Sequence, residues 1–192
     1  VIGGYNIAKA LFDSMGGAGK IFVCQGMLGN TAANDRYKGL QKALEEYPDI
    51  VVAGDDTANW ATDEAMALVE TWLTQHPDVG GVWCANDNMA TGALQALDAA
   101  GLKGKVGVVG IDANTDIVEA VRDGYATATV SSNGYLQGGY TLAICYAAWA
   151  GLIDVEALPA SCREFATPAR LIASPEDAQD YLTNPPTFDF SQ

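Results

Sequence analysis

Arg36, Trp60, Asn86, Asp112, Ser132 and Asn133 are the side chains with which this sequence could grip a hydroxylated molecule. Each follows a short apolar run. Gln25, Gly26, Gly29 and Asn30 come after the first run, with Asn34, Asp35 and Arg36 just beyond; Asp55, Asp56, Asn59 and Trp60 come after the second. Asn86 and Asp87 follow the third, Asp112 and Asn114 the fourth, and Ser132 and Asn133 the fifth. Neighbouring hydroxyls call for planar partners that donate and accept in pairs, which Asp, Asn and Arg supply. The C–H face of a sugar ring calls for an aromatic plate, which Trp60 can supply.

The same residues have plainer uses. Asp87 sits where a helix N-cap belongs, and Asp112 precedes a turn-like Ala113–Asn114 pair. Arg36 could pair with Asp35 or Asp56 at the surface. Trp60 lies in a polar loop, where a tryptophan points to binding.

The runs that precede these residues are Lys20–Gln25, Asp49–Ala53, Gly80–Ala85, Lys105–Gly110 and Ala126–Ser131. They are rich in β-branched residues and continuous rather than alternating, as expected of parallel strands buried on both faces. Between them lie helical stripes: Ala33, Tyr37, Leu40 and Leu44; Ala65, Leu68, Val69, Trp72 and Leu73; Met89, Ala90, Ala93, Leu94 and Leu97. Thr31, Thr62, Asp87 and Thr115 read as N-caps, and Pro48, Pro77, Gly101 and Gly124 as stops. A first helix over Ile2–Met15 precedes the first strand. Strands alternating with helices predict a doubly wound parallel α/β sheet, whose ligands bind beyond the carboxyl ends of its strands.

After Ser132 the pattern changes to a helix over Leu136–Ala150, a Pro-containing connector, a strand over Arg163–Ile172, a short acidic helix from Pro175 and an extended tail from Asn184. Gly124 to Ile153 carries no charge, but only Tyr140–Ile153 is strongly apolar, short of the ~20 residues that span a bilayer. It reads as a buried helix. Val1–Ala10 has neither the basic start nor the long apolar core of a secretion signal and reads as a mature or internal segment.

Lys and Arg total 10 against 24 Asp and Glu, a net charge of −14 over 192 residues. That excludes an electropositive nucleic-acid footprint and disfavours anionic lipid. No zinc-type spacing links Cys24, Cys84, Cys145, Cys162 and His76. Cys24 and Cys84 read as buried thiols, while Cys145 and Cys162 are left open between free thiols and a disulfide.

The segments GMLGNTAANDRYKGL (Gly26–Leu40), CANDNMATGALQAL (Cys84–Leu97), VVGIDANTD (Val108–Asp116) and DGYATATVSSN (Asp123–Asn133) occur in this order. Together they resemble the C-terminal lobe of periplasmic sugar-binding proteins of the ribose-binding type, the solute receptors of ABC importers, from Val1 to about Ser174. The resemblance implies a flavodoxin-like lobe of a type I periplasmic binding protein that binds a monosaccharide or polyol without chemistry and uses no cofactor. It places the sugar-contacting arginine on Arg36, the stacking aromatic on Trp60, the amide on Asn86 and the carboxylate on Asp112. A family glutamine falls near Ser132 or Asn133, neither of which is glutamine. It further implies that residues 1–132 form the sugar-binding lobe and 133–192 return toward an N-terminal lobe that lies outside this chain. Hinge segments fall near Val1, Ser132 and Ala157–Cys162. The chain then reads as a fragment, a trimmed form or one half of a split protein, periplasmic or extracellular, with or without a lipid anchor, partnered by an ABC permease and not inserted in the membrane.

Three other readings compete. The effector domain of a LacI-type repressor resembles the same fold but needs a DNA-binding headpiece. A sugar-sensing ectodomain of a membrane kinase or chemoreceptor is a second. A Mg-dependent phosphotransfer site built on Asp55, Asp56, Asp87 and Asp112 is a third. Against it, the first strand ends in Gln25–Gly26 without a carboxylate, no lysine follows the fifth, and the loop-like Gly16–Lys20 precedes a strand rather than following one.

Overall fold

The computed structural model describes residues 1–159 and 167–187. Its elements alternate: α1 (Ile2–Ser14), β1 (Ala18–Gln25), α2 (Thr31–Glu46), β2 (Asp49–Thr57), α3 (Thr62–Gln75), β3 (Gly81–Cys84), α4 (Asp87–Ala99), β4 (Gly107–Ile111), α5 (Thr115–Arg122), β5 (Ala128–Ser131), α6 (Gly134–Trp149), β6 (Arg170–Ile172) and α7 (Pro175–Thr183). The sheet order is β2-β1-β3-β4-β5-β6. The first five strands run parallel, and β6 pairs antiparallel with β5, Val130 opposite Leu171. The expected doubly wound sheet is present, and its strand order reverses between β1 and β3, the place where such sheets open a crevice.

Burial follows the apolar runs with one exception. Ile21–Cys24, all of β3 and Val108–Ile111 are buried, but β2 is an edge strand whose Val51 and Val52 are exposed. An apolar run therefore marks β2 correctly as a strand and wrongly as one covered on both faces. The helices meet in two layers, α1 with α2 and α3 with α4, with α5 against α7. Two seams bring backbones together: a Cβ on Gly4 or Gly39 would run into Arg36 O or Val1 O, and one on Gly92 into Thr62 O.

Helix starts sit one residue before the expected caps. Asn30 caps α2 by accepting from the amides of Ala32 and Ala33, and Asn86 caps α4 by accepting from Met89 N at 3.0 Å. Ala61 and Asn114 occupy the other two N-cap positions, with no side-chain cap bond. Thr31, Thr62, Asp87 and Thr115 are instead the first helical residues. α7 opens as expected, with Ser174 accepting from Asp177 N and Pro175 at the first position.

α6 is not the buried helix its composition predicts. Of its sixteen residues only Gly139 is buried, while Tyr135, Leu142, Tyr146 and Trp149 are exposed. Apolar composition demands a partner surface, and no described element of this chain covers that face. No helix among the described residues is long and apolar enough to cross a membrane. Cys24 and Cys84 are buried free thiols. Cys145 is an exposed free thiol; its candidate partner Cys162, most of the expected strand before Arg170 and the end of the tail lie outside the described residues.

Candidate functional site

At the carboxyl edge of the sheet, Arg36 projects from the second turn of α2 toward the ends of β3 and β4. Its Nη1 donates to Ala85 O at 2.6 Å and its Nη2 to Asp112 Oδ1 at 3.2 Å. The expected alternatives, Asp35 and Asp56, are not its partners. The guanidinium carbon also lies 5.4 Å from the centroid of the Trp60 ring, within cation–π range. Asn59 and Trp60 both have positive φ, 49° and 67°, and the indole lies so close over Gly26 that no Cβ fits there. Trp60 is partly buried against the core rather than free in a polar loop. Only glycine at position 26 allows that placement.

Asp112 follows β4 in an unusual backbone: its φ is 133° and that of Ala113 is 57°, a stretch that side-chain-bearing residues adopt at a cost. Burial raises its carboxyl above the usual range, and the Arg36 charge pulls it back down. Asn86 is 6% exposed, and its Oδ1 is committed to capping α4. Its Nδ2 has no partner among the described residues and remains available as a donor. Capping thus uses one atom of the amide and leaves the other free.

Ser132 lines a cleft of about 520 Å³ together with Val1, Asp35, Arg36, Gln137 and Thr167. Asn133 has a left-handed φ of 60°, and its Oδ1 is buried with no donor among the described residues. A second cleft, about 660 Å³, is lined by Asp112, Asn114, Tyr135 and Tyr181. The structure therefore joins Arg36, Trp60 and Asp112 by direct contact, brings Asn86 in through its neighbour Ala85, and sets Ser132 along the Arg36 cleft. Among the described residues no hydrogen bond joins Asn133 to Arg36, Trp60, Asn86 or Asp112.

Asp55 and Asp56 do not join it. Asp55 accepts from Gln25 Nε2 at 2.6 Å and from the Tyr37 hydroxyl at 2.7 Å; burial first, and then Asp55, pushes Tyr37 up to about 12. Among the described residues no three Asp, Glu, His or Cys side chains gather closely enough to hold a metal ion. His76 is the C-cap of α3, as its position before Pro77 suggests.

Sequence reasoning treated Asp87 as a cap and missed its role. Its side chain is fully buried beside β4 and β5. Its oxygens accept from Asn114 N at 2.7 Å and from Thr129 Oγ1 at 2.8 Å. A signal was present: Asp87 lies three, seven and ten residues before Ala90, Leu94 and Leu97, on the buried stripe of α4. Burial pushes its carboxyl up to about 7, opposed by the Asn114 and Thr129 hydrogen bonds and reinforced by Asp112 and Asp116.

A profile described as the periplasmic binding protein domain matches residues 2–152. The chain is 40% identical over 145 residues to the xylitol-binding protein of Mycolicibacterium smegmatis, covering 75% of this chain and 41% of that protein. It is 37% identical over 131 residues to the ribose import binding protein RbsB of Salmonella typhimurium, covering 68% of this chain and 44% of the other. It superposes on an ABC transporter solute binding protein from Bacillus halodurans, solved with bound myo-inositol, with a TM-score of 0.84 at 30% identity, over 95% of this chain and 60% of that one. The chain thus spans less than half the length of these curated relatives.

Proposed function

This chain belongs to the periplasmic binding protein domain family, and we propose that it forms one lobe of a receptor that holds a neutral monosaccharide or polyol for an ABC importer without transforming it. The observation that carries this is Arg36, whose guanidinium is shared between Ala85 O, Asp112 and the Trp60 ring. A guanidinium already balanced by a carboxylate suits vicinal hydroxyls, which can accept from one and donate to the other. An anionic sugar phosphate would meet Asp112 beside Arg36 and, in the cleft that Arg36 lines, Asp35. Xylitol and ribose, named for the relatives, and the myo-inositol bound in the neighbour are all neutral and hydroxyl-rich.

Arg36, Trp60, Asn86 and Asp112 make the contacts in this reading. Ser132 and Asn133 flank them, where the resemblance puts a glutamine. Residues 1–132 form the lobe, and 133–192 lead toward a second lobe that closes over the ligand by a hinge. The exposed apolar face of α6 supports that division. The receptor works in the periplasm or at the cell exterior, its partner is an ABC permease, and it is not an enzyme.

The test is a titration of the isotopically labelled chain with xylitol, D-ribose and myo-inositol, followed through backbone amides and the tryptophan indole signals. Shifts confined to Arg36, Trp60, Asn86 and Asp112, saturating in the millimolar range, are expected of a half-site. Micromolar affinity for this chain alone would overturn the two-lobe reading. Tighter binding of ribose 5-phosphate than of ribose would overturn the neutral-ligand reading.

A further inference from the structure

We propose that Asp87 is the positioning residue of this site: by holding the turn after β4 it aims Asp112 at Arg36. The inference rests on the reading of Asp112 as a ligand contact. Three bonds make the bracket. Asn114 N donates to Asp87 Oδ2 at 2.7 Å, Thr129 Oγ1 donates to Asp87 Oδ1 at 2.8 Å, and the same Thr129 oxygen accepts from Ala113 N at 3.3 Å. The two amides directly after Asp112 are thus tied, one directly and one through Thr129, to a single buried carboxylate. They belong to the backbone stretch whose φ values of 133° and 57° would otherwise relax. Asp112 N is fixed separately, to Val130 O at 2.9 Å. Gly110 leaves the space: a Cβ there would collide with Asp87 Oδ1. The junction Ala85–Asn86–Asp87 therefore serves the site from both sides, Ala85 O receiving Arg36 and Asp87 holding the turn that carries its counter-ion.

The charge state of Asp87 matters to this bracket. As a carboxylate it accepts from both donors; once protonated, one oxygen becomes a donor and the Thr129 hydroxyl must reorient. The titratable groups around it are Asp112 beyond β4, Asp116 on α5 and the Cys84 thiol at the end of β3, with Arg36 offsetting Asp112. Thr91 Oγ1 stands between Asp116 and the Asp87 carbonyl, within donating distance of each, 2.6 Å and 3.1 Å, with one proton to give.

The test uses the whole chain, with and without xylitol. In the wild type, the amide signals of Ala113 and Asn114 should titrate together with the Asp87 carboxyl carbon, and xylitol affinity should fall from about pH 8 to about pH 6. Asp87→Asn should abolish both pH dependences and weaken xylitol binding about tenfold, the scale of a hydrogen bond to a charged group. Thr129→Val should disturb Ala113 more than Asn114, and Thr129→Ser should restore the wild-type pattern; this pair decides the question if Asp87→Asn does not fold. Amides at 113 and 114 that ignore the Asp87 titration, or an Asp87→Asn chain with unchanged affinity and pH profile, would overturn the proposal. If no polyol binds the wild type, the reading of the site fails, while the amide titration still decides whether Asp87 holds the turn.

Discussion

Arg36 and Trp60 form one unit: the guanidinium carbon stands 5.4 Å from the indole centroid while its two terminal nitrogens reach Ala85 O and Asp112. The indole in turn rests on Gly26, so the arginine is steered from three separate loops. A side chain held on that many sides loses little rotamer freedom when a ligand arrives, which favours affinity.

Arg36→Ala should weaken polyol binding by about 1.5–3 kcal/mol, the worth of a hydrogen bond to a charged group. Arg36→Lys should recover little, because a point charge cannot reach Ala85 O and Asp112 with separate nitrogens. Titration of each variant with xylitol checks both, and unaltered affinity in Arg36→Ala would remove the residue from the site.

Gly26→Ala should displace the indole, since the added methyl has nowhere to go but into the ring. With Trp72, Trp83 and Trp149 replaced by phenylalanine, emission from Trp60 should shift on this substitution. Polyol binding should drop with it. An unchanged spectrum would show that the ring does not rest on Gly26.

Gly92→Ala sets two effects against each other. Alanine favours helix over glycine by about 1 kcal/mol, but here the methyl meets Thr62 O, backbone that cannot step aside. Overpacking of that kind costs about 1–3 kcal/mol. A net loss of stability by denaturant unfolding is therefore expected, with the Arg36–Asp112 contact undisturbed.

Asp87 also gives a signed pH effect on stability. Burial raises its carboxyl from the usual carboxylate range to about 7, so between about pH 4 and about pH 7 the folded chain binds more protons than the unfolded one. Its contribution to stability is present below that window and is lost as pH rises through it. The stability of wild type relative to Asp87→Asn, measured by urea unfolding across the window, should decline with pH. A flat difference would place the ionisation elsewhere.

The strands and the edge where polar groups collect were legible because the first four apolar runs meet Gly or Asn and the fifth meets Ser132–Asn133. The positions of the helix caps were legible only to within one residue. Asn30–Thr31 and Asn86–Asp87 offer two cap-competent side chains in succession, and only the backbone conformation of the first decides between them. Asp87 reads from the sequence as an N-cap because it stands where the third apolar run gives way to a helical stripe. Its buried partners, a threonine and a turn amide from distant segments, carry no mark in the local sequence. Trp60 was recognised by type, but its support came from Gly26, thirty-four positions earlier, whose lack of a side chain becomes meaningful only in three dimensions. The opposite held for α6, where composition predicted burial and no described element of this chain provides it.

That uncovered helix has a practical side. Leu142, Tyr146 and Trp149 present a greasy ridge to the solvent, so purified material should adhere to hydrophobic resins, light up solvatochromic dyes and clump as it is concentrated, despite a heavy surplus of acidic groups. A mild non-ionic additive, or a solubilising fusion placed at the carboxyl terminus, is the means of keeping such samples clear.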